Sequence, residues 1–370
     1  MKKKTIFLVG ADTGGHVVPT FALAKELEKS KKLRIVVIGV GSEIEKKFYQ
    51  KLNDVQYLKI MAGKSQFGSL LSKISAFLKS LIGFVQSKYF IIKYQPKLIF
   101  LKGNYATLPM AMAARLFGRP VIIHESDAIL GRSNRIVSRF AKKVFLSYPE
   151  EIYREKIRNA EFCGPILRQE FLSPKEKSDA DYKIFDFDKN LPTVLVLGGS
   201  LGSRSINQAT ISILDKVLPD CQIIHQTGES DLKVANEARI KLEEKLRQHY
   251  YISSFFDQEL FSALRVADIV ISRSGSGVFE IAACGKAVIL IPYPYASADH
   301  QSKNAQYFAR KNGAEVIEDK NLSPTVLYSA ISKLLGSEKK RRNLAQNLSR
   351  AVKLSGREII LDYLKQYLKF

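Results

Sequence analysis

Thr193-Val194-Leu195-Val196-Leu197-Gly198-Gly199-Ser200-Leu201-Gly202-Ser203 decides the fold. Its apolar run reads as a buried strand. Its glycines permit positive φ and close backbone approach where the chain turns into a helix. The free N–H groups and positive dipole end of such a helix suit a phosphate. A turn of the same form stands near the start, where Lys4–Val9 leads into Gly10-Ala11-Asp12-Thr13-Gly14-Gly15-His16. A third, Arg273-Ser274-Gly275-Ser276-Gly277-Val278-Phe279-Glu280, follows Ile269–Ser272. It places Glu280 early in the next helix, where a carboxylate can accept from a ribose diol or simply complement the helix dipole. None of the three is G-x-G-x-x-G or a P-loop, which argues against a dehydrogenase.

Outward from these turns, strands and helices alternate. In the first half the strands are Lys4–Val9, Arg34–Ile38, Lys97–Leu101, Val121–Ile123 and Lys143–Ser147, with a helix over Thr20–Lys29. The pattern lapses after Gly164-Pro165, and the polar stretch Ser173–Asn190 reads as a connection. It resumes with Thr193–Leu197, Gln222–His225, Tyr250–Ser253, Ile269–Ser272 and Ala287–Ile291. The expectation is an α/β protein of two Rossmann-like domains. They cover 1–164 and 191–356, joined by 165–190, with a terminal helix over 357–370 whose docking the pattern does not place. Ligands of parallel sheets sit at the carboxyl ends of strands, so two facing sheets place the site in a cleft.

The 370 residues are 46% hydrophobic and 25% charged, which excludes a disordered chain and a disulfide scaffold. Cys163, Cys221 and Cys284 are too few and too scattered for a disulfide framework or zinc ribbon. Lys2-Lys3-Lys4 leads into a strand and not into the apolar core of a secretory signal. The net charge is +22, concentrated in residues 1–165, which hold 29 basic and 12 acidic residues. From Val55 to His124 there are ten Lys or Arg and no Asp or Glu. Such a field attracts polyanions: nucleic acid, an anionic membrane or a phosphorylated substrate. Within it, Phe67, Leu70, Leu71, Ile74, Phe77, Leu78, Leu81, Ile82, Val85 and Tyr89 follow a helical period, interrupted by Lys73, Lys79 and Lys88. This fits an interfacial amphipathic surface, or a core-facing helix with solvated lysines.

Several stretches together resemble the MurG family, the lipid I N-acetylglucosaminyltransferases of peptidoglycan synthesis. They are Thr13-Gly14-Gly15-His16-Val17-Val18-Pro19, Gly103-Asn104-Tyr105-Ala106-Thr107-Leu108-Pro109, His124-Glu125-Ser126-Asp127-Ala128, Gly198-Gly199-Ser200, His225-Gln226-Thr227-Gly228, Ser272-Arg273-Ser274-Gly275 and Asp299-His300-Gln301. The resemblance spans nearly the whole chain and implies a GT-B fold. It implies an inverting, metal-independent transfer of N-acetylglucosamine from UDP-N-acetylglucosamine to lipid I, giving lipid II, without a cofactor. The N-terminal domain would bind an undecaprenyl-diphosphate-linked acceptor at the cytoplasmic side of the plasma membrane, as a peripheral protein on an anionic surface. The C-terminal domain would hold the donor.

Carried over residue by residue, Ser200 and the backbone after it would meet the diphosphate. Phe256 would hold the uracil edge through its backbone, Glu280 at the end of Ser276-Gly277-Val278-Phe279 the ribose, and Gln301 the sugar hydroxyls. Arg168 would reach the donor, while Thr13, Gly14 and Gly15 would line the sugar and acceptor side. His300 would orient donor hydroxyls. His16 suits a general base by its ordinary pKa near 6.5. Asp127 would assist it or serve as base itself. The chain departs from the family's pattern at Ala11-Asp12, at Ser126 and Asp127 (usually Gln and Asn), at Pro165-Ile166, at Leu201, and in a shortened turn before Glu280. The acceptor-side departures leave open another lipid-linked acceptor for the same donor.

Asp186-Phe187-Asp188 has the form of a metal-binding aspartate pair but falls in the polar connection, where it reads as a solvated charge run. Two readings compete with the transferase. A charge-driven nucleic-acid binder lacks any helix-turn-helix, RNA-recognition or zinc-finger signature, so no specific nucleic acid is expected. A UDP-N-acetylglucosamine epimerase shares the two-domain plan but has no use for a basic, apolar N-terminal face.

Overall fold

The computed structural model describes residues 3–64, 69–172, 177–199 and 202–370. The chain forms two compact units, Met1–Arg168 with Lys353–Phe370, and Gln169–Val352. In the first unit the described strands are β1 (Lys4–Val9), β2 (Leu33–Gly39), β3 (Val55–Lys59), β4 (Leu98–Leu101), β5 (Val121–Glu125), β6 (Lys143–Leu146) and β7 (Ala160–Phe162). They form one sheet in the order β3-β2-β1-β4-β5-β6-β7, each pair parallel. Strands covered on both faces are apolar throughout, and Ile6, Phe7, Leu8 and Val9 of β1 are accordingly fully buried. The strand order reverses between β1 and β4, the usual place for a ligand. Val9 pairs with Leu101, so the turns that leave these two strands begin level with each other.

The second unit repeats the plan with β8 (Thr193–Leu197), β9 (Gln222–Gln226), β10 (Tyr250–Ser253), β11 (Ile269–Ser272), β12 (Ala287–Leu290) and β13 (Glu315–Val316). The order is β10-β9-β8-β11-β12-β13. Its reversal lies between β8 and β11, the strands that precede two of the glycine turns, and Leu197 pairs with Ser272. The expected pair of Rossmann-like sheets is present.

The polar stretch before β8 is more than a connection. Tyr182, Phe185 and Phe187 are buried, and the Phe185 ring meets Tyr251 and Phe256 edge-on at 5.1 and 6.4 Å. Asp181 closes a capping box with Ser178 and pairs with Arg265. Three aromatics spaced among charges escape a reading that weighs average polarity. The Asp186-Phe187-Asp188 run is anchored as well as solvated: the Asp188 N–H donates to Gln222 Oε1 at 2.7 Å.

The terminal helix Gly356–Leu368 belongs to the first unit. It buries Ile360, Leu361, Leu364 and Leu368, meets Phe145 edge-on through Tyr363, and Lys4 Nζ donates to its Leu368 carbonyl at 2.6 Å.

The first three helices among the described residues of the first unit are α1 (Gly14–Leu27), α2 (Glu43–Tyr49) and α3 (Leu70–Tyr94). Helix α3 inverts the usual amphipathic arrangement. It buries Ala76, Gly83, Ser87, Ile91 and Tyr94 and exposes Leu70, Leu71, Ile74, Phe77, Leu78, Leu81, Ile82, Val85 and Tyr89. Leu71 is 77% exposed and Phe77 68%, which rules out the core-facing reading of this stripe. Phe67 of the same stripe lies outside the described residues. Close packing explains the small residues: a Cβ on Gly83 would lie 1.8 Å from the Met61 carbonyl oxygen. Among the described residues, no helix is long and apolar enough to cross a membrane.

Candidate active site

In the first unit the turns after β1, β4 and β5 are tied together by side chains. Thr13 precedes α1 without a side-chain cap bond, and Thr13, Gly14, Gly15 and His16 are each part-exposed. Asn104, after β4, donates to the Ala11 carbonyl at 2.6 Å. Asp12, at φ 74°, is held from α2: the fully buried Glu45 accepts from its N–H at 2.8 Å. Glu45 also accepts from the N–H groups of Val40 and Gly41 and the hydroxyls of Ser42 and Tyr57. Lys64 pairs with the Asp12 carboxylate at 3.1 Å.

His16 Nδ1 lies 3.3 Å from the Lys102 carbonyl oxygen. A carbonyl only accepts, so the neutral ring carries its proton on Nδ1 and leaves Nε2 bare. Burial, then the Lys102 charge, pushes its pKa down to about 4, against the opposing pull of Asp127 and Asp12. The ring is therefore neutral, and able to accept a proton, throughout the physiological range. Asp127 belongs to this group: its charge acts on both His16 and Lys102. The turn bearing it is built on Glu125, which accepts from Ser126 N, Asp127 N, Gly131 N and Asn134 Nδ2 at 2.8 to 3.0 Å. Burial and the Asp127 charge raise the Glu125 pKa. His124 is fully buried, its Nε2 3.0 Å from the Gly164 carbonyl. Arg168 closes the unit half-buried.

The second unit positions its turns with amides and hydroxyls. Gln226, at the end of β9, donates through Nε2 to the Gly199 carbonyl at 2.9 Å and accepts at Oε1 from Phe256 N–H at 3.0 Å. One side chain thus links the turn after β8 to the residue expected to hold the uracil edge, and it occupies the Phe256 N–H. Ser200 and Leu201 lie outside the described residues. Gly202, at φ 80°, allows no side chain, since a Cβ there would lie 2.1 Å from the Thr227 carbonyl oxygen. Arg273 binds the turns from beneath. Its guanidinium donates to the Ile291 and Pro292 carbonyls, to Asp319, and to the Ser203 and Ser205 hydroxyls.

The helix Gly277–Ala283 starts from Ser276 without a side-chain cap bond. Val278 and Phe279 bury their side chains, so only their main chain can meet a ligand. Glu280 is half-buried in its first turn. Gln301 accepts from Tyr293 N–H at 2.9 Å through Oε1, and its Nε2 lies 4.0 Å from the position of a Cβ on Gly275. His300 Nδ1 meets the Ser297 carbonyl at 2.9 Å.

Glu45 and Lys102 were not singled out in the sequence, and Gln226 stood in a quoted stretch without a role of its own. Glu45 reaches Asp12 across 33 residues, Lys102 reaches Ser126 across 24, and Gln226 reaches Gly199 and Phe256 across 27 and 30. A charged residue directly after an apolar strand, as at Lys102, was the one available signal.

The description of the glycosyltransferase family 28 N-terminal domain matches residues 6–146, and that of its C-terminal domain residues 193–359. A Thermodesulfovibrio yellowstonii protein named UDP-N-acetylglucosamine–N-acetylmuramyl-(pentapeptide) pyrophosphoryl-undecaprenol N-acetylglucosamine transferase is 36% identical over 340 residues, covering 89% of each chain. Among solved structures, MurG of Acinetobacter baumannii is similar at a TM-score of 0.74 and 23% identity, over 98% of this chain and 99% of that one. A Neisseria meningitidis UDP-GlcNAc 2-epimerase shares the fold at a TM-score of 0.69 and 12% identity, over 98% and 100%. With these matches spanning both glycine-turn frameworks, the chain belongs to the MurG family of glycosyltransferases.

Proposed function

We propose that the protein transfers N-acetylglucosamine from UDP-N-acetylglucosamine to the muramyl sugar of lipid I, giving lipid II. The observation that carries this is the 36% identity, across 89% of both chains, to a transferase named for that donor and that lipid-linked acceptor. The arrangement of each unit fits one half of the task. In the first, His16 is a neutral imidazole with a bare Nε2, suited to take the proton of the attacking hydroxyl. Asp127 beside it stabilises the imidazolium that forms. In the second, free N–H groups at the starts of helices can absorb the charge of the leaving diphosphate without a metal. Glu280 would accept the ribose hydroxyls, Gln301 would reach the sugar through Nε2, and Phe256 would meet the uracil through its carbonyl. A single displacement inverts the anomeric centre.

Helix α3 supports a peripheral seat on an anionic membrane. Its exposed aliphatic and aromatic stripe lies in the stretch without acidic residues, which is how a surface enters the interface of a charged bilayer. An epimerase working on a soluble nucleotide sugar needs no such face.

The test is mass-spectrometric turnover in EDTA, with UDP-N-acetylglucosamine and a short-chain lipid I analogue. Disaccharide and UDP formed only with acceptor is the expected result. UDP released without acceptor would favour an epimerase-like or hydrolytic activity. Donor binding without transfer would mean that the changes at Asp12, Ser126 and Asp127 select a different lipid-linked acceptor.

A further inference from the structure

Lys102 directly follows β4 with 1% of its surface exposed, and the transfer chemistry above gives its ammonium no task. We propose that Lys102 is a positioning residue for the proton transfer. Its main-chain carbonyl fixes the proton of His16 on Nδ1. Its ammonium, held by Ser126 and balanced by Glu125 and Asp127, keeps Nε2 free for the acceptor hydroxyl. The proposal rests on the reading of His16 as the base.

A buried ammonium needs partners. Nζ donates to the Ser126 hydroxyl, while the Glu125 and Asp127 charges favour its protonated form against burial. Burial prevails and lowers the Lys102 pKa to about 8, so at neutral pH the side chain is still chiefly a cation. The charged groups facing His16 come from three turns: Asp12 after β1, itself paired with Lys64, Lys102 after β4, and Asp127 after β5. The two carboxylates would draw a second proton onto the ring, and Lys102 opposes them. Ser126 accepts from Lys102 Nζ and the Asp127 charge acts on it, so the three residues form one local solution.

The chemistry tolerates so weak a base. The acceptor oxygen bonds to the anomeric carbon as the bond from that carbon to the diphosphate oxygen breaks, its electron pair leaving with UDP. The attacking oxygen becomes strongly acidic only as its new bond forms, and its proton then passes to Nε2. A ring already protonated could not accept it.

The test uses full-length protein with isotope-labelled histidine, the His16 ring signals being identified by their loss in His16→Ala. In the wild type the ring nitrogen shifts are expected to report an Nδ1–H tautomer, neutral down to about pH 5. In Lys102→Met, and in Lys102→Gln as a second neutral variant, the midpoint should rise by about one pH unit or more. Lys102→Arg should keep it low. In kinetics at saturating donor, kcat/KM for the acceptor should fall about fourfold from pH 7.5 to 4.5 in the neutral variants, and by less than about 1.5-fold in wild type and Lys102→Arg. A wild-type proton on Nε2, or an unmoved midpoint with a uniform loss of rate, would overturn the proposal. The ring signals need no turnover, so absent transfer to lipid I in the wild type would count against the proposed function and leave this inference standing.

Discussion

The two units repeat one fold and build its strand ends from different materials. The first gathers charge: Asp12, Glu45, Lys102, Glu125 and Asp127 surround His16 or brace the turns that carry it. The second uses Gln226, Asn207, Ser274 and Asn304. Its charged brace, Arg273 with Asp319, ties the turns from within the framework. Under the proposed function the difference follows from the two tasks. Moving a proton requires a group whose charge state is set by its neighbours. Holding a diphosphate of fixed charge requires dipoles that already point the right way. The exposed apolar stripe of α3 belongs to the charged unit.

Apart from loss of the His16 base, the largest effect should come from that stripe. Phe77→Asp with Leu81→Asp removes two exposed apolar side chains, each contributing about 1.5–3 kcal/mol when buried. Binding to vesicles containing anionic phospholipid should fall by about 100-fold or more in a flotation assay, while donor affinity in solution is kept. Unchanged vesicle binding would remove the membrane from the description of this unit.

Next is Glu45→Ala. It leaves several buried donors without their acceptor, at about 1–3 kcal/mol for an unmet group, so a loss of about 3 kcal/mol is expected. Thermal unfolding should show a transition lowered by roughly 6–12 °C. A drop in turnover with no change in melting would mean that Glu45 acts on substrate and not as a brace.

A smaller effect is expected in the neutral unit. Gln226→Ala releases both the Gly199 carbonyl and the Phe256 N–H, and should weaken UDP-N-acetylglucosamine binding about tenfold by calorimetry. The titration of His16 should not move. If it did, the two halves would not be separable.

Both units share one pH dependence. The folded pKa of His16 is about 4 and that of His225 about 3, lowered chiefly by burial, against 6.5 in the unfolded chain. A depressed folded value means that the unfolded state binds more protons, so the stability is complete above pH 6.5 and is lost as pH falls below it. Each histidine should contribute a slope of about 1.4 kcal/mol per pH unit in that window. Urea unfolding at pH 5 and 7 would show it. His225→Gln should flatten the slope of the second unit alone.

The parts of this picture visible in the sequence are those with dense local signals. Strands buried on both faces, such as Ile6–Val9 and Val194–Leu197, read directly as apolar runs ending in glycine. Val55–Lys59, Ala160–Phe162 and Glu315–Val316 did not, because edge strands are half-buried and their composition is mixed. Phe185 and Phe187 were hidden by the aspartates and lysines around them. At the site, the turns and His16 were legible from glycine spacing. The braces were not: Lys102, Gln226 and the Glu45 contact to Asp12 join residues that only the strand order brings near, and the reversal between β1 and β4 cannot be read from either strand alone.

The most direct test of the division of labour is His16→Ala, assayed for transfer to a lipid I analogue and titrated calorimetrically with UDP-N-acetylglucosamine. Removing a general base should lower turnover by about 100- to 10,000-fold, with the donor Kd held within about twofold of wild type. Full turnover, or a donor affinity lost in proportion to rate, would contradict the assignment of proton transfer to the charged unit and donor binding to the neutral one.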